Sequence, residues 1–223
     1  MHSARFRSIP LVLATALGAA CAGRSPLLDP TPTQLARAAP DSFVVTLETS
    51  RGRVVLVAHR DWSPLGVDRL HFLVRHGYYD GARIFRVVPG FVVQWGISGD
   101  PAVNAAWKDR DLPDEPVKQS NTRGRLAYAR GGPNTRGTQL YINLAANARL
   151  DTTSTFGFPP IAEVVEGMAL VDSVFAGYSC RRGSPGTCPS QDSITTLGDG
   201  YLKRKFPQLD YIRTARIGKE WKN

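Results

Sequence analysis

From Ser42 to Leu47 apolar and polar residues alternate, and from Arg53 to His59 β-branched residues recur. Thr49-Ser50-Arg51-Gly52 lies between the two runs, so the pattern predicts a β-hairpin. Ser63-Pro64 then supplies an N-cap residue and a proline suited to a first helical turn. Val67, Leu70, His71 and Val74 follow at helical spacing, and Gly77 ends the run. Two short strands are expected on either side of Pro89-Gly90, whose dipeptide marks a tight turn. Residues 97–122 read as loop, rich in Asp, Pro and Asn. Arg125–Ala129 and Gln139–Leu144 read as strands separated by a Gly-rich stretch. A second helix is expected over Glu163–Phe175, with Val164, Met168, Val171 and Phe175 on one face. Asp210–Ile217 reads as a last strand. Many short strands and two helices predict a mainly β fold, a closed barrel capped by helices. No internal repeat is present.

The chain has 223 residues, 42% hydrophobic and 21% charged, enough for one domain with a proper core. Its first twenty residues are not expected to belong to that core. Arg5 and Arg7 precede an apolar run from Ile9 to Ala20, too short to span a bilayer and typical of an export signal. The run ends in Leu17-Gly18-Ala19-Ala20-Cys21, which resembles a bacterial lipobox, although Gly18 stands where a larger aliphatic residue is usual. On that reading residues 1–20 are a signal peptide and Cys21 is lipidated. Plain secretion and an uncleaved anchor are the alternatives. Ala22–Pro40 is Pro-rich and polar and reads as a flexible tether, so the expected order is signal, lipidated tether over 21–40, and folded domain over 41–223. The expected location is the cell envelope of a bacterium, on the periplasmic side and anchored by lipid.

The formal charge is +9, and removal of residues 1–20 leaves about +7. Apart from Lys203-Arg204-Lys205 the basic residues are dispersed, without the aromatic interleaving of a nucleic-acid platform. No nucleic-acid partner is expected. Cys180 and Cys188 enclose a Gly/Pro-rich stretch, which in an oxidising compartment reads as a disulfide, with free thiols as the alternative. His2, His59, His71 and His76 are scattered, and none has ligand spacing with a cysteine, so no metal and no cofactor is expected. Gly132–Gly137 has the spacing of a phosphate-binding loop, but Thr138 stands where its lysine must be. Gly96-Ile97-Ser98-Gly99 lacks the strand-turn-helix context of a nucleophile elbow. Segment 179–209 is expected to be an additional charged surface loop.

One group of motifs remains. Arg83-Ile84-Phe85-Arg86-Val87-Val88-Pro89-Gly90-Phe91-Val92-Val93-Gln94 resembles the signature of the cyclophilins, the peptidyl-prolyl cis/trans isomerases. Gly132-Pro133-Asn134-Thr135, followed by Gly137-Thr138-Gln139-Leu140-Tyr141-Ile142, is similar to the second signature of that family. Leu150-Asp151 and Glu163–Met168 continue the likeness, in order and in register, over about 41–178. Membership would imply a closed eight-stranded antiparallel barrel capped by two helices. It would also imply a monomer acting on proline-containing polypeptides without a cofactor. By resemblance, Arg86, Phe91 and Gln94 are the catalytic residues. Val92, Leu140, Leu150 and Ile161 join Phe91 in the apolar seat for the proline ring. Arg130 and Gly131 pair with the peptide backbone, and Gln139 lines the same groove. The chain departs from the common pattern at Trp95, Ile97, Arg130 and Arg149.

The chemistry asks little of a protein beyond this. An X-Pro amide resists rotation because its nitrogen shares a lone pair with the carbonyl, at a barrier of about 20 kcal/mol. A fixed donor aimed at that nitrogen weakens the resonance as the bond twists. Arg86 suits the task, being charged at any working pH and carrying donors in a rigid fork. The alternative is a binding module of the same fold that holds proline peptides without turning them over.

Overall fold

The computed structural model describes residues 25–153, 156–178, 180 and 188–222. Cys21 and the expected signal segment lie outside them, as does most of the stretch enclosed by Cys180 and Cys188. Eight strands form one antiparallel sheet: β1 (Ser42–Thr49), β2 (Gly52–His59), β3 (Arg86–Val88), β4 (Val92–Trp95), β5 (Arg125–Tyr128), β6 (Leu140–Asn143), β7 (Pro160–Glu166) and β8 (Ile212–Trp221). Their spatial order is β3-β4-β6-β5-β7-β2-β1-β8. The ladder is not closed. β3 and β8 are its two ends, and among the described residues an isolated bridge between Arg83 and Tyr211, with flanking backbone hydrogen bonds such as Ile84 N to Asp210 O (2.9 Å), joins the segments leading into them.

Alternation explains the burial. In β1 every second residue is buried, and Phe43, Val45 and Leu47 enter the main core beside Val54 and Leu56 of β2. The helix α2 (Pro64–Arg75) packs Val67, Leu70, Leu73 and Val74 into the same cluster. The side chain of its cap residue Ser63 makes no hydrogen bond to the helix backbone; Glu115 instead accepts from the amides of Leu65 (2.9 Å) and Gly66 (3.1 Å). The fully buried Arg136 neutralises that carboxylate at 3.0 Å, which satisfies a charge that could not stay buried alone.

Four expectations are corrected. The helix expected over Glu163–Phe175 is half strand: β7 runs to Glu166, Gly167 turns the chain at φ +86°, and only α4 (Met168–Asp172) is helical. Helix α3 (Pro101–Trp107), with Asp100 capping the amide of Ala102 at 2.8 Å, lies within the expected 97–122 loop. The segment beyond 179 contains a helix kinked at Gly198, α5 (Gln191–Lys205), whose Ile194 and Leu202 form a second small core with Phe85, Ile97 and Leu209. Residues 25–40 are not a free tether. They contain a short helix, α1 (Pro32–Leu35), closed by a Thr31/Gln34 capping box. Leu27 and Leu35 pack on the main core, Trp107 Nε1 donates to Leu27 O (2.8 Å), and Asp68 accepts from Ala39 N (2.8 Å). Apolar residues spaced among the prolines supply the contacts that composition alone hides.

Candidate active site

The register of the sheet draws a line across one face. Arg86 of β3 pairs with Gln94 of β4, Gln94 with Tyr141 of β6, and Tyr141 with Ala127 of β5. Side chains paired in this way share a face. The neighbouring row, with Trp95, Leu140 and Tyr128 opposite one another, points into the main core. Over the first row lies an open cavity of about 580 Å³ lined by Arg86, Phe91, Val92, Gln94, Tyr141, Leu150 and Phe158 at one end. Val92, Ala127, Tyr141 and Leu150 are buried together there, with Phe91, Ala129 and Phe158 packed against them.

The structure therefore gathers Arg86, Phe91, Gln94, Val92, Arg130, Gly131, Gln139 and Leu150 around one cavity. It leaves two expected residues out. Leu140 and Ile161 are fully buried in the main core. Leu140 belongs to the inward row of β6, and Ile161 lies at the register shift between β7 and β5, against Gly66 of α2; the residues facing the cavity are Tyr141, one position on from Leu140, and Phe158. The strand alternation within Leu140–Asn143 was the available signal: only one of two neighbouring residues can face the seat.

Arg86 is positioned by its own strand and by a chain of amides. Its Nη1 donates to Gln94 Oε1 at 3.0 Å, and Gln94 Nε2 donates to Gln139 Oε1 at 2.8 Å. The guanidinium carbon lies 5.8 Å from the Phe91 ring centre, and that of Arg149 lies 4.7 Å from the same ring. Burial draws the Arg86 guanidinium below its ordinary value. It stays a cation at neutral pH, because arginine starts so far above it.

Beneath the seat, Asn121 fixes four groups. Its Nδ2 donates to Asp151 Oδ1 and to Phe158 O, each at 2.8 Å; its Oδ1 accepts from Tyr141 Oη at 2.9 Å and from Asn143 Nδ2 at 3.2 Å. Burial drives the Tyr141 phenol far up, so it is a neutral donor throughout. Arg130, expected to meet peptide through its backbone, has a buried side chain that pairs with Asp114 at 2.9 Å, stacks 5.0 Å from the Phe158 ring centre and donates to Thr153 O at 3.1 Å. It braces the rim.

The other end of the cavity is more polar, with Asn104, Lys108, Asp111 and Thr138 around Tyr78 and Trp107, and with Gln191 and Thr195 of α5 as one wall. Sequence reading did not anticipate this wall, because nothing local ties residues 191–195 to residues fifty positions earlier. Cys180 and Cys188 are joined as a disulfide, with Cα atoms 4.8 Å apart. Among the described residues no group of His, Cys, Asp and Glu could hold a metal ion.

Known proteins resemble this chain in sequence and in fold. Residues 44–193 match the family model described as cyclophilin type peptidyl-prolyl cis-trans isomerase. Peptidyl-prolyl cis-trans isomerase B of Escherichia coli is 30% identical over 162 residues, covering 68% of this chain and 95% of that protein. Isomerase A of Dickeya dadantii is 34% identical over 146 residues, covering 61% of this chain and 73% of that protein. A crystal structure of a Cryptosporidium parvum cyclophilin type isomerase superposes with a TM-score of 0.56 at 17% identity, covering 80% of this chain and 99% of that one, a likeness of fold alone. With the sheet, the cavity and both signature segments in register, the chain belongs to the cyclophilin-type peptidyl-prolyl cis/trans isomerase family.

Proposed function

We propose that Arg86 drives the isomerisation, in a protein exported to the bacterial envelope, held there by lipid on Cys21, and acting on proline bonds of exported polypeptides. The observation that carries the mechanism is the pairing of the Arg86 guanidinium with Gln94, at the lip of an apolar seat. A proline ring set among Phe91, Val92, Tyr141, Leu150 and Phe158 is held by burial, at about 25 cal/mol per Å² of apolar surface. Its amide then lies beside Arg86. Planar X-Pro nitrogen is a poor acceptor; as the bond twists, the lone pair localises and the guanidinium donates to it. That interaction strengthens only in the twisted state, which is the condition for lowering a barrier rather than merely binding. A preorganised cation in a partly dry site supplies several kcal/mol in this way. Bond rotation breaks no covalent bond and moves no proton, so no base or nucleophile is needed.

The test is isomerisation of a short X-Pro peptide by the purified chain and by Arg86→Ala. Turnover should fall about a hundredfold in the variant, matching the loss of roughly 3 kcal/mol of transition-state stabilisation. Peptide affinity should change far less. Equal, near-zero turnover in both proteins would instead assign the chain to the peptide-binding class.

A further inference from the structure

We propose that Gln191, the first residue of α5, is a positioning residue for Arg86, an inference that rests on the catalytic role just given to that arginine. The observation is a third link in the amide chain. Gln139 Nε2 donates to Gln191 Oε1 at 3.1 Å, extending the run from Arg86 through Gln94 and Gln139 to the added helix.

The direction of this run is set by chemistry. A guanidinium only donates, so Gln94 must present its oxygen to Arg86 and its NH2 to the next group. Gln139 must then present its oxygen to Gln94, and its own NH2 points on. A glutamine amide has a broad, nearly two-fold terminal torsion, so nothing intrinsic prevents Gln139 from turning over. Turned over, it would set one NH2 against another and release Gln94 from its orientation toward Arg86. An acceptor beyond Gln139 removes that freedom, and Gln191 Oε1 is the acceptor.

Gln191 is exposed, yet its backbone is not free to drift. Ser190 caps α5 by accepting from Ser193 N (3.3 Å), and Ile194 is fully buried against Phe85 and Ile97. Asn104 Nδ2 holds Thr195 O at 3.2 Å. Just before the helix, Cys188 is tied to Cys180, whose sulfur lies 3.7 Å from Phe85 O, next to Arg86 in the chain. The helix is thus fastened beside the strand it serves.

Two variants of the full chain separate positioning from packing and from substrate contact. Gln191→Leu keeps the size and removes the acceptor; kcat for a short X-Pro peptide should fall about threefold to fivefold, the worth of one net hydrogen bond, with KM nearly unchanged. Gln191→Glu keeps an oxygen acceptor at pH 7 and should recover most of that loss. Both should melt with the parent protein. In the Leu variant the side-chain amide resonances of Gln94, one amide beyond the residue that Gln191 touches, should shift or broaden, whereas a packing role would confine the change to Gln139. Equal losses in both variants, a change confined to KM, or wild-type kcat in Gln191→Leu would each overturn the inference. Arg86→Ala run beside them distinguishes the failures. If it is inactive while Gln191→Leu is unchanged, only Gln191 loses its role. If it turns over normally, the mechanism fails and the inference with it.

Discussion

Asp151 shows how much of the cavity's apolar wall depends on one carboxylate that does not line it. Burial alone pushes its carboxyl upward, but hydrogen bonds from Ser120 Oγ, Asn121 Nδ2 and Asn121 N outweigh that and hold it below the ordinary carboxylate range. It follows Leu150 in a 3-10 turn, Ala148–Asp151, whose Leu150 O also accepts from Phe158 N at 2.8 Å. Losing the charge should therefore slacken two walls of the seat together. A depressed folded value means that the stabilisation is complete above the unfolded value of about 3.9 and fades as pH falls through the folded one. Asp151→Asn should cost about 2 kcal/mol at pH 7. Denaturant midpoints taken from neutral pH downward should converge with those of the parent as pH falls through the depressed folded value. A gap that persists in acid would mean that shape, not charge, is what Asp151 contributes. At this scale the sequence was most informative where a residue is named by chemistry: Arg86, Phe91 and Gln94 lie together as the motif implied. It misled at Leu140, which the resemblance put in the apolar seat and the structure puts in the main core, with Tyr141 facing the cavity in its place.

Helix α5 depends on a single backbone exception. Gly198 sits inside it at φ 59° and ψ −149°, where it bends the helix toward Gly99. A Cβ there would lie 2.2 Å from Gly99 O, and the conformation itself belongs almost wholly to glycine. Gly198→Ala should lower stability by about 2 kcal/mol or more and loosen the α5 contacts with Asn104 and Gln139. Gly200→Ala is the matched control. No atom lies within 4 Å of its added methyl, so it should be neutral or gain up to about 1 kcal/mol of helix propensity. Thermal melts of the pair decide the matter; equal midpoints would show the bend to be dispensable. Such exceptions also mark where element boundaries escaped a reading of the sequence. Val164 and Met168 fit a helical stripe, yet residues 160–166 pair with β2 and β5, and Gly167 turns so closely on Arg53 that an added Cβ would lie 2.5 Å from its carbonyl oxygen. Short apolar runs fit either period, and only long-range pairing chose between them. The β1–β2 hairpin, by contrast, forms where the pattern put it, since its turn and its partner are both local.

For the whole molecule, the docking of residues 25–40 changes what a lipid on Cys21 would do. A free tether would let the domain roam. With Leu27 packed on the core and held through Trp107, five residues separate Cys21 from the folded body, a reach of about 20 Å over six steps of the chain. Trp107 also lines the cavity, so the groove would stay close to the bilayer and meet polypeptides near its surface. Charge offers a rival explanation for any membrane association, since the chain without its first twenty residues retains a positive balance of about +7. Salt separates the two. At roughly 1 M salt the screening length falls to about 3 Å and surface attraction fades, whereas an acyl chain keeps its apolar burial. In a bacterial host the native chain should sediment with membranes, resist the salt wash and be released by detergent. Cys21→Ser should appear in the soluble fraction. Its turnover on a short peptide should be unchanged, because Leu27 and Trp107 keep their contact. A native chain that the salt wash alone removes would leave charge as the anchor, and Cys21 without its lipid.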